Sequence, residues 1–147
     1  METIYKEIIA RLKAAVTDLR YISADDGQLD QPDERGNYPI MLPAALVEIN
    51  GIEWTSTEWT EQTGEGEVVI TYAWRNPARF DSNSTETALL NATTRWAIAK
   101  AIAKALHGFS GTNFGELERS RTEREKLPGA VNLIRITFGF NASESLA

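Results

Sequence analysis

The chain has 147 residues, a formal net charge of -6, no cysteine and one histidine. The length suits one domain with its own core, while the inventory excludes disulfides, thiolate metal sites and cysteine nucleophiles. An acidic chain lacks the clustered lysine and arginine of a general phosphate-backbone binder, and no apolar run reaches the ~20 residues that span a bilayer. Glu2, Lys6 and Glu7 interrupt the apolar residues at the N-terminus, so that segment does not read as a signal peptide, and the protein reads as soluble and cytoplasmic.

Ile4, Ile8, Leu12 and Val16 recur every four residues, with Ile9, Ala15 and Leu19 widening the stripe, which predicts a one-sided helix from Glu2 to about Thr17. Asp18 to Tyr38 is polar and turn-rich and reads mostly as loop, with short extended pieces around Tyr21 and Ile22. Pro39 to Trp54, with Ala45, Leu46, Val47 and Ile49, suits a buried strand. Val68, Val69, Ile70, Tyr72 and Trp74 suit a second strand from Glu67 to Arg75, after a turn at Gly64-Glu65-Gly66. The two form a hairpin whose connection takes in Trp54 to Gly66.

Asn76-Pro77 ends the second strand, and Asn83 with Glu86 forms a near capping box for a long helix through Leu89, Trp96, Ile98, Ile102 and Leu106 to His107. Gly108 is placed as the left-handed residue that stops it. Its alanines, among them Ala99, Ala103 and Ala105, permit close packing on a sheet. Glu116 to Lys126 is polar with alternating charges, Leu127-Pro128-Gly129 is a turn, and Val131 to Phe140 alternates Ile134, Ile136, Phe138 and Phe140 on one face. The predicted fold is α+β, one domain over 1–147. An antiparallel sheet of four strands, or slightly more, is packed by the N-terminal and long central helices in the order α-β-β-α-β-β.

No constellation carries catalysis. Asp25, Asp26, Asp30, Asp33 and Glu34 are rich in oxygen ligands but lack the spacing of a calcium loop, and they read as a solvated turn. His107, without a second histidine, reads as a group interacting with the C-terminal dipole of its helix. No Gly-x-Ser-x-Gly, phosphate-loop or dinucleotide pattern is present. Neither enzyme activity, cofactor nor metal is expected, and catalytic residues are assigned nowhere.

Of the four tryptophans, Trp74 and Trp96 fall inside predicted elements and read as core. Trp54 and Trp59 lie in the polar connection, either folded back on the sheet or offered to a partner. In Glu116 to Lys126, Arg119 and Arg121 share a face if the segment is a strand. The segment reads either as a charged edge that discourages stray pairing or as an arm meeting complementary charge on a neighbouring subunit. Trp54, Trp59, Arg119, Arg121 and Arg124 are therefore the candidate subunit-interface residues.

Several stretches, taken in order, carry a family resemblance over nearly the whole chain. They are Ile8-Ile9-Ala10-Arg11-Leu12-Lys13, Leu19-Arg20-Tyr21-Ile22 with Gly27-Gln28-Leu29-Asp30, and Pro43-Ala44-Ala45-Leu46-Val47. Ala105-Leu106-His107-Gly108 and the closing Ile136-Thr137-Phe138 follow. In these the chain resembles small tail proteins of Mu-like prophages of Bacteroides-type bacteria, related in fold to the lambda-like tail terminators and tail completion proteins. The resemblance implies a structural protein without an active site. It further implies a ring, typically hexameric, at the head-proximal end of the tail tube, with the tube protein and head connector as partners and no specific nucleic-acid or membrane binding. The protein would pass from the host cytoplasm into the virion tail, and an acidic ring would repel DNA phosphates passing through it. Two other readings predict different behaviour: a monomeric peptide- or small-ligand-binding module using the aromatic 54–66 connection, and a metal-dependent enzyme using Asp25 to Glu34.

Overall fold

The computed structural model describes residues 1–75 and 86–147, with side chains from residue 93 onward in the second helix. The strand end at Asn76-Pro77, the Asn83–Glu86 capping box and the Leu89 side chain lie outside the described residues. The elements are α1 (Glu2–Ala15), β1 (Tyr21–Ala24), a 3-10 turn (Gln28–Asp30), β2 (Ala44–Glu58), β3 (Glu61–Arg75), α2 (Glu86–Leu106), β4 (Glu118–Leu127) and β5 (Val131–Ser145). Over the described residues the fold is α+β, with two helices and a five-stranded mixed sheet ordered β1-β2-β3-β5-β4.

The sheet has a front face, under the helices, and a back face. Period-two alternation sends Ala45, Val47, Val68, Ile70, Tyr72, Ile134, Ile136 and Phe138 to the front, where Ile4, Ile8 and Leu12 of α1 and Ile98, Ile102 and Leu106 of α2 complete one core. Each fully buried aliphatic side chain contributes about 1.5–3 kcal/mol, so this layer dominates stability. Ala99, Ala103 and Ala105 are buried too. α2 packs closely on α1, where Arg11 Nε donates to the Ala105 carbonyl at 3.0 Å.

The expectation of an all-antiparallel sheet needs correction at β1. Tyr21–Ala24 pairs parallel with Ala44–Val47 at the sheet edge. A parallel neighbour requires a crossover of a dozen residues or more, and residues 25–43 supply it: the part up to Tyr38 was expected as loop, whereas the strand expected from Pro39 begins only at Ala44. That crossover carries Leu29 and Tyr38 across the back face, onto Leu46, Ala73, Val131 and Leu133 in a second small core. Arg75 pins it there, donating from Nη1 to the Gly129 carbonyl (2.7 Å) and from Nη2 to the Gly36 carbonyl (3.1 Å). Two carboxylates of this stretch bind local backbone: Asp25 accepts from the Gly27 N–H and Asp33 from those of Arg35 and Asn37.

Tyr72 is wholly buried and its ring stacks on Trp74 at 5.0 Å. Its hydroxyl lacks a partner in hydrogen-bond geometry among the described residues. Burial pushes its pKa up to about 12, while the nearby Arg95 guanidinium pulls the other way. The folded state thus holds this proton more tightly than the unfolded chain, where tyrosine ionises near about 10. The resulting stability is complete below that unfolded value and is lost, at about 1.4 kcal/mol per pH unit, as pH climbs from there toward the folded value. Tyr72→Phe is expected to remove most of the fall in melting temperature between pH 10 and 12, leaving a residue from Tyr38, which burial also raises. An unchanged alkaline slope would exclude this cause.

Candidate assembly surface

β2, β3 and β5 are 15 residues each, or about 50 Å at ~3.3 Å per residue. The helices stop short of that length: Tyr5, near the start of α1, accepts from the Ile49 N–H at 2.9 Å. Beyond Ile49 burial falls away along β2 and β3, and the strands continue as a three-stranded arm. Trp54 to Gly66 is therefore not a loose connection. The pairing runs to Glu58↔Glu61, and only Trp59 and Thr60 form the turn.

Gly64 and Gly66, expected as a turn, sit inside β3 because front-face side chains lie across them. A Cβ at Gly64 would stand 2.5 Å from Ile52 Cγ2 and 2.9 Å from Trp54 Cε3, and one at Gly66 would stand 2.8 Å from the Gly51 carbonyl oxygen. Phe140 extends this covering, meeting Phe114 edge-on at 6.2 Å, and Phe114 in turn meets Phe109 at 5.9 Å. The 109–117 loop so braces one side of the arm. Its Thr112 N–H donates to Glu7 of α1 at 3.0 Å.

The candidate interface residues are distributed around this frame rather than gathered. Trp54 is half-buried over Gly64, on the front of the arm. Trp59 stands at the tip, 99% exposed, with φ of 31°. Arg119 and Arg121 do not share a face. A bulge at Ser120 pairs Arg119 with Phe138 on the front and Arg121 with Thr137 on the back. Arg121 pairs with Glu123, and Arg124 lies over the Trp96 ring, 5.2 Å from its centroid. β4 is an edge strand with every residue exposed from Glu118 to Lys126.

Trp96, expected in the core, is 48% exposed. The buried stripe of α2 runs through Ile98, Ile102 and Leu106, and Trp96 lies off it, touching Trp74 edge-on at 6.3 Å. Trp96→Ala is accordingly expected to cost about 1–2 kcal/mol in urea unfolding, below the ~3–5 of a fully buried aromatic, with the Arg124 contact part of the loss. A loss above 3 would place the ring deeper than this. His107 follows α2, and its Nδ1 accepts the Arg119 N–H at 3.2 Å. This ties the helix end to β4, a job its proximity to the helix terminus did not reveal. Gly108 is left-handed, at φ of 83°, as the stop signal required.

A groove of about 710 Å³ opens along the arm, lined by Glu53, Glu65, Glu67, Glu116 and Glu118 with glycine and asparagine between them. Trp54 and Trp59 are not among its walls. No group of three or more histidine, aspartate or glutamate side chains among the described residues is arranged to hold a metal ion. None of their helices is long and apolar enough to cross a membrane.

No protein-family model matches the chain, and no curated protein matches it. Among solved structures, a chain from the virion of a native gene transfer agent particle superposes with a TM-score of 0.55, covering 93% of this chain and 92% of its own at 16% identity. At that identity the likeness is one of fold.

Proposed function

We propose that this protein is a structural, non-catalytic component of a phage-type virion, of the tail terminator or tail completion kind. Its copies associate into a ring at the end of the tail tube and join the tube to the head connector. Assembly takes place in the host cytoplasm and the product resides in the virion tail. The observation that carries this reading is a fold shared, over nearly the full length of both chains, with a component of a virion particle. The arm adds a physical reason, since a long three-stranded projection tipped by an exposed tryptophan costs solvation in a lone protomer and becomes useful when a neighbour receives it. A ring needs head-to-tail contacts between two different surfaces of one chain, and the arm tip, which continues to Glu61↔Ser145, lies beyond the end of the charged β4 edge at Glu118↔Gly139.

The test is the mass in solution by light scattering coupled to size exclusion, over a concentration series, with and without a tail-tube protein. A ring-sized species, alone or with tube protein present, supports the proposal. A strict monomer under both conditions overturns it.

A further inference from the structure

α2 and β4 run side by side on the front of the molecule, tied at one end by His107 and Arg119 and at the other by Trp96 and Arg124. Lys100 and Lys104 lie one and two turns along from Trp96 on the same helical stripe, and both are exposed. The register of β4 puts Arg119, Arg124 and Lys126 on the front, while its glutamates Glu118, Glu123 and Glu125 go to the back. No aspartate or glutamate occurs between Thr87 and Gly115. In a protein of net charge -6 this leaves a strip that is wholly basic among the described residues, and Lys100, Lys104, Arg119 and Lys126 have no ion pair among them.

The opposite imbalance occurs on the other face. Glu53, Glu65, Glu67 and Glu118 all point to the back of the arm, by register. Together with Glu116 they line the groove, and no lysine or arginine does so. Glu53 and Glu65 are direct cross-strand partners, an arrangement that is destabilising in an isolated sheet. A cation brought from outside removes that penalty.

We infer that the basic strip between α2 and β4 docks into the glutamate-lined groove of a second copy of this chain. This rests on the self-assembly proposed above and names the two surfaces that meet. Every copy carries both surfaces, one on the front and one on the back, so the contact is head-to-tail and each copy leaves one of each free for the next. The paired charges fix register and speed encounter, and Trp96, half-exposed within the strip, supplies the apolar contact.

Two charge-reversed proteins test this. Lys100→Glu/Lys104→Glu makes the strip acidic, and Glu53→Lys/Glu65→Lys makes the groove basic. All four positions are exposed, and retention of the native circular dichroism spectrum and melting temperature verifies that each variant folds. Each alone is expected to need at least tenfold higher concentration to associate than the unmodified chain, and an equimolar mixture is expected to recover association, since acidic strip then meets basic groove. Association of the unmodified chain should weaken as salt rises from 50 to 500 mM. If the unmodified chain assembles and the reversals leave its mass unchanged, or the folded variants fail to recover on mixing, the docking assignment falls while the assembly reading stands. Loss of binding to a short labelled DNA duplex in the strip variant, with assembly intact, would overturn it in favour of a nucleic-acid contact. A chain that is monomeric at every concentration, with tube protein and without, overturns both.

Discussion

Replacing Phe138 with alanine is expected to lower the free energy of unfolding by about 3–5 kcal/mol. Phe138 is completely buried and sits on β5 between Val68 of β3 and Arg119 of β4, on the sheet face that the helices cover. Its ring has no polar atom to satisfy and no route to solvent, so truncation leaves a cavity whose walls are strands held by pairing on both sides. Such walls relax little, which puts the cost toward the upper part of that range. A domain of this size has about 5–15 kcal/mol in total, so the variant should have a much lower urea midpoint with an unchanged slope. Phe138→Leu keeps most of the volume and should cost less than about half as much. A loss below 1 kcal/mol for the alanine variant would mean that the helices do not close over β5 in this way.

The layer that makes Phe138 costly was readable in advance, because it rests on periodicity. Ile4, Ile8, Leu12 and Val16 repeat every four residues and all four are buried. Ile134, Ile136, Phe138 and Phe140 repeat every two and face the same core. Both are one-sided patterns, and burial on one side is what creates a pattern. The charged β4 edge was legible for the complementary reason, since a strand with exposed residues on both faces can carry charge throughout.

Other features left a fainter trace or none, and of β1 only a short extended piece around Tyr21 and Ile22 was expected. β1 is four residues long and half-buried along its length, too short for an alternation to emerge, and its parallel pairing depends on a crossover whose path is set by contacts distant in sequence. The arm is exposed on most of its surface, so Thr55 to Gln62 lacks the apolar alternation of a half-buried strand. Gly64 and Gly66 imitate a turn until Ile52, Trp54 and Phe140 are seen lying across them. The separation of Arg119 from Arg121 depends on one bulged residue, and a single-residue slip reverses every side chain beyond it. Of the candidate site, the tip tryptophan was therefore identifiable by its chemistry, whereas the basic strip was not, because Trp96 and Arg124 become neighbours only when α2 is laid beside β4.

Trp59→Gly should separate folding from assembly. The ring is 99% exposed, so its removal forfeits almost no buried area, and surface changes of that kind ordinarily move stability by less than about 0.5 kcal/mol. Its backbone sits at φ of 31°, where a side chain is strained by roughly 1–2 kcal/mol and glycine is not, so the variant should melt at the same temperature or slightly higher. Hairpin turns favour glycine and asparagine for this reason. A tryptophan there incurs both strain and exposure with no compensating contact inside the protomer, and a receiving surface on a neighbour would supply one. Buried at such a contact, tryptophan behaves as an anchor contributing 2 kcal/mol or more, about a thirtyfold change in association constant. The expected result is thus a protein at least as stable as the unmodified chain that needs roughly thirty times the concentration to reach the same mass by light scattering. An unchanged assembly midpoint would remove the arm tip from the interface. A large fall in melting temperature would instead mean that Trp59 folds back onto its own protomer.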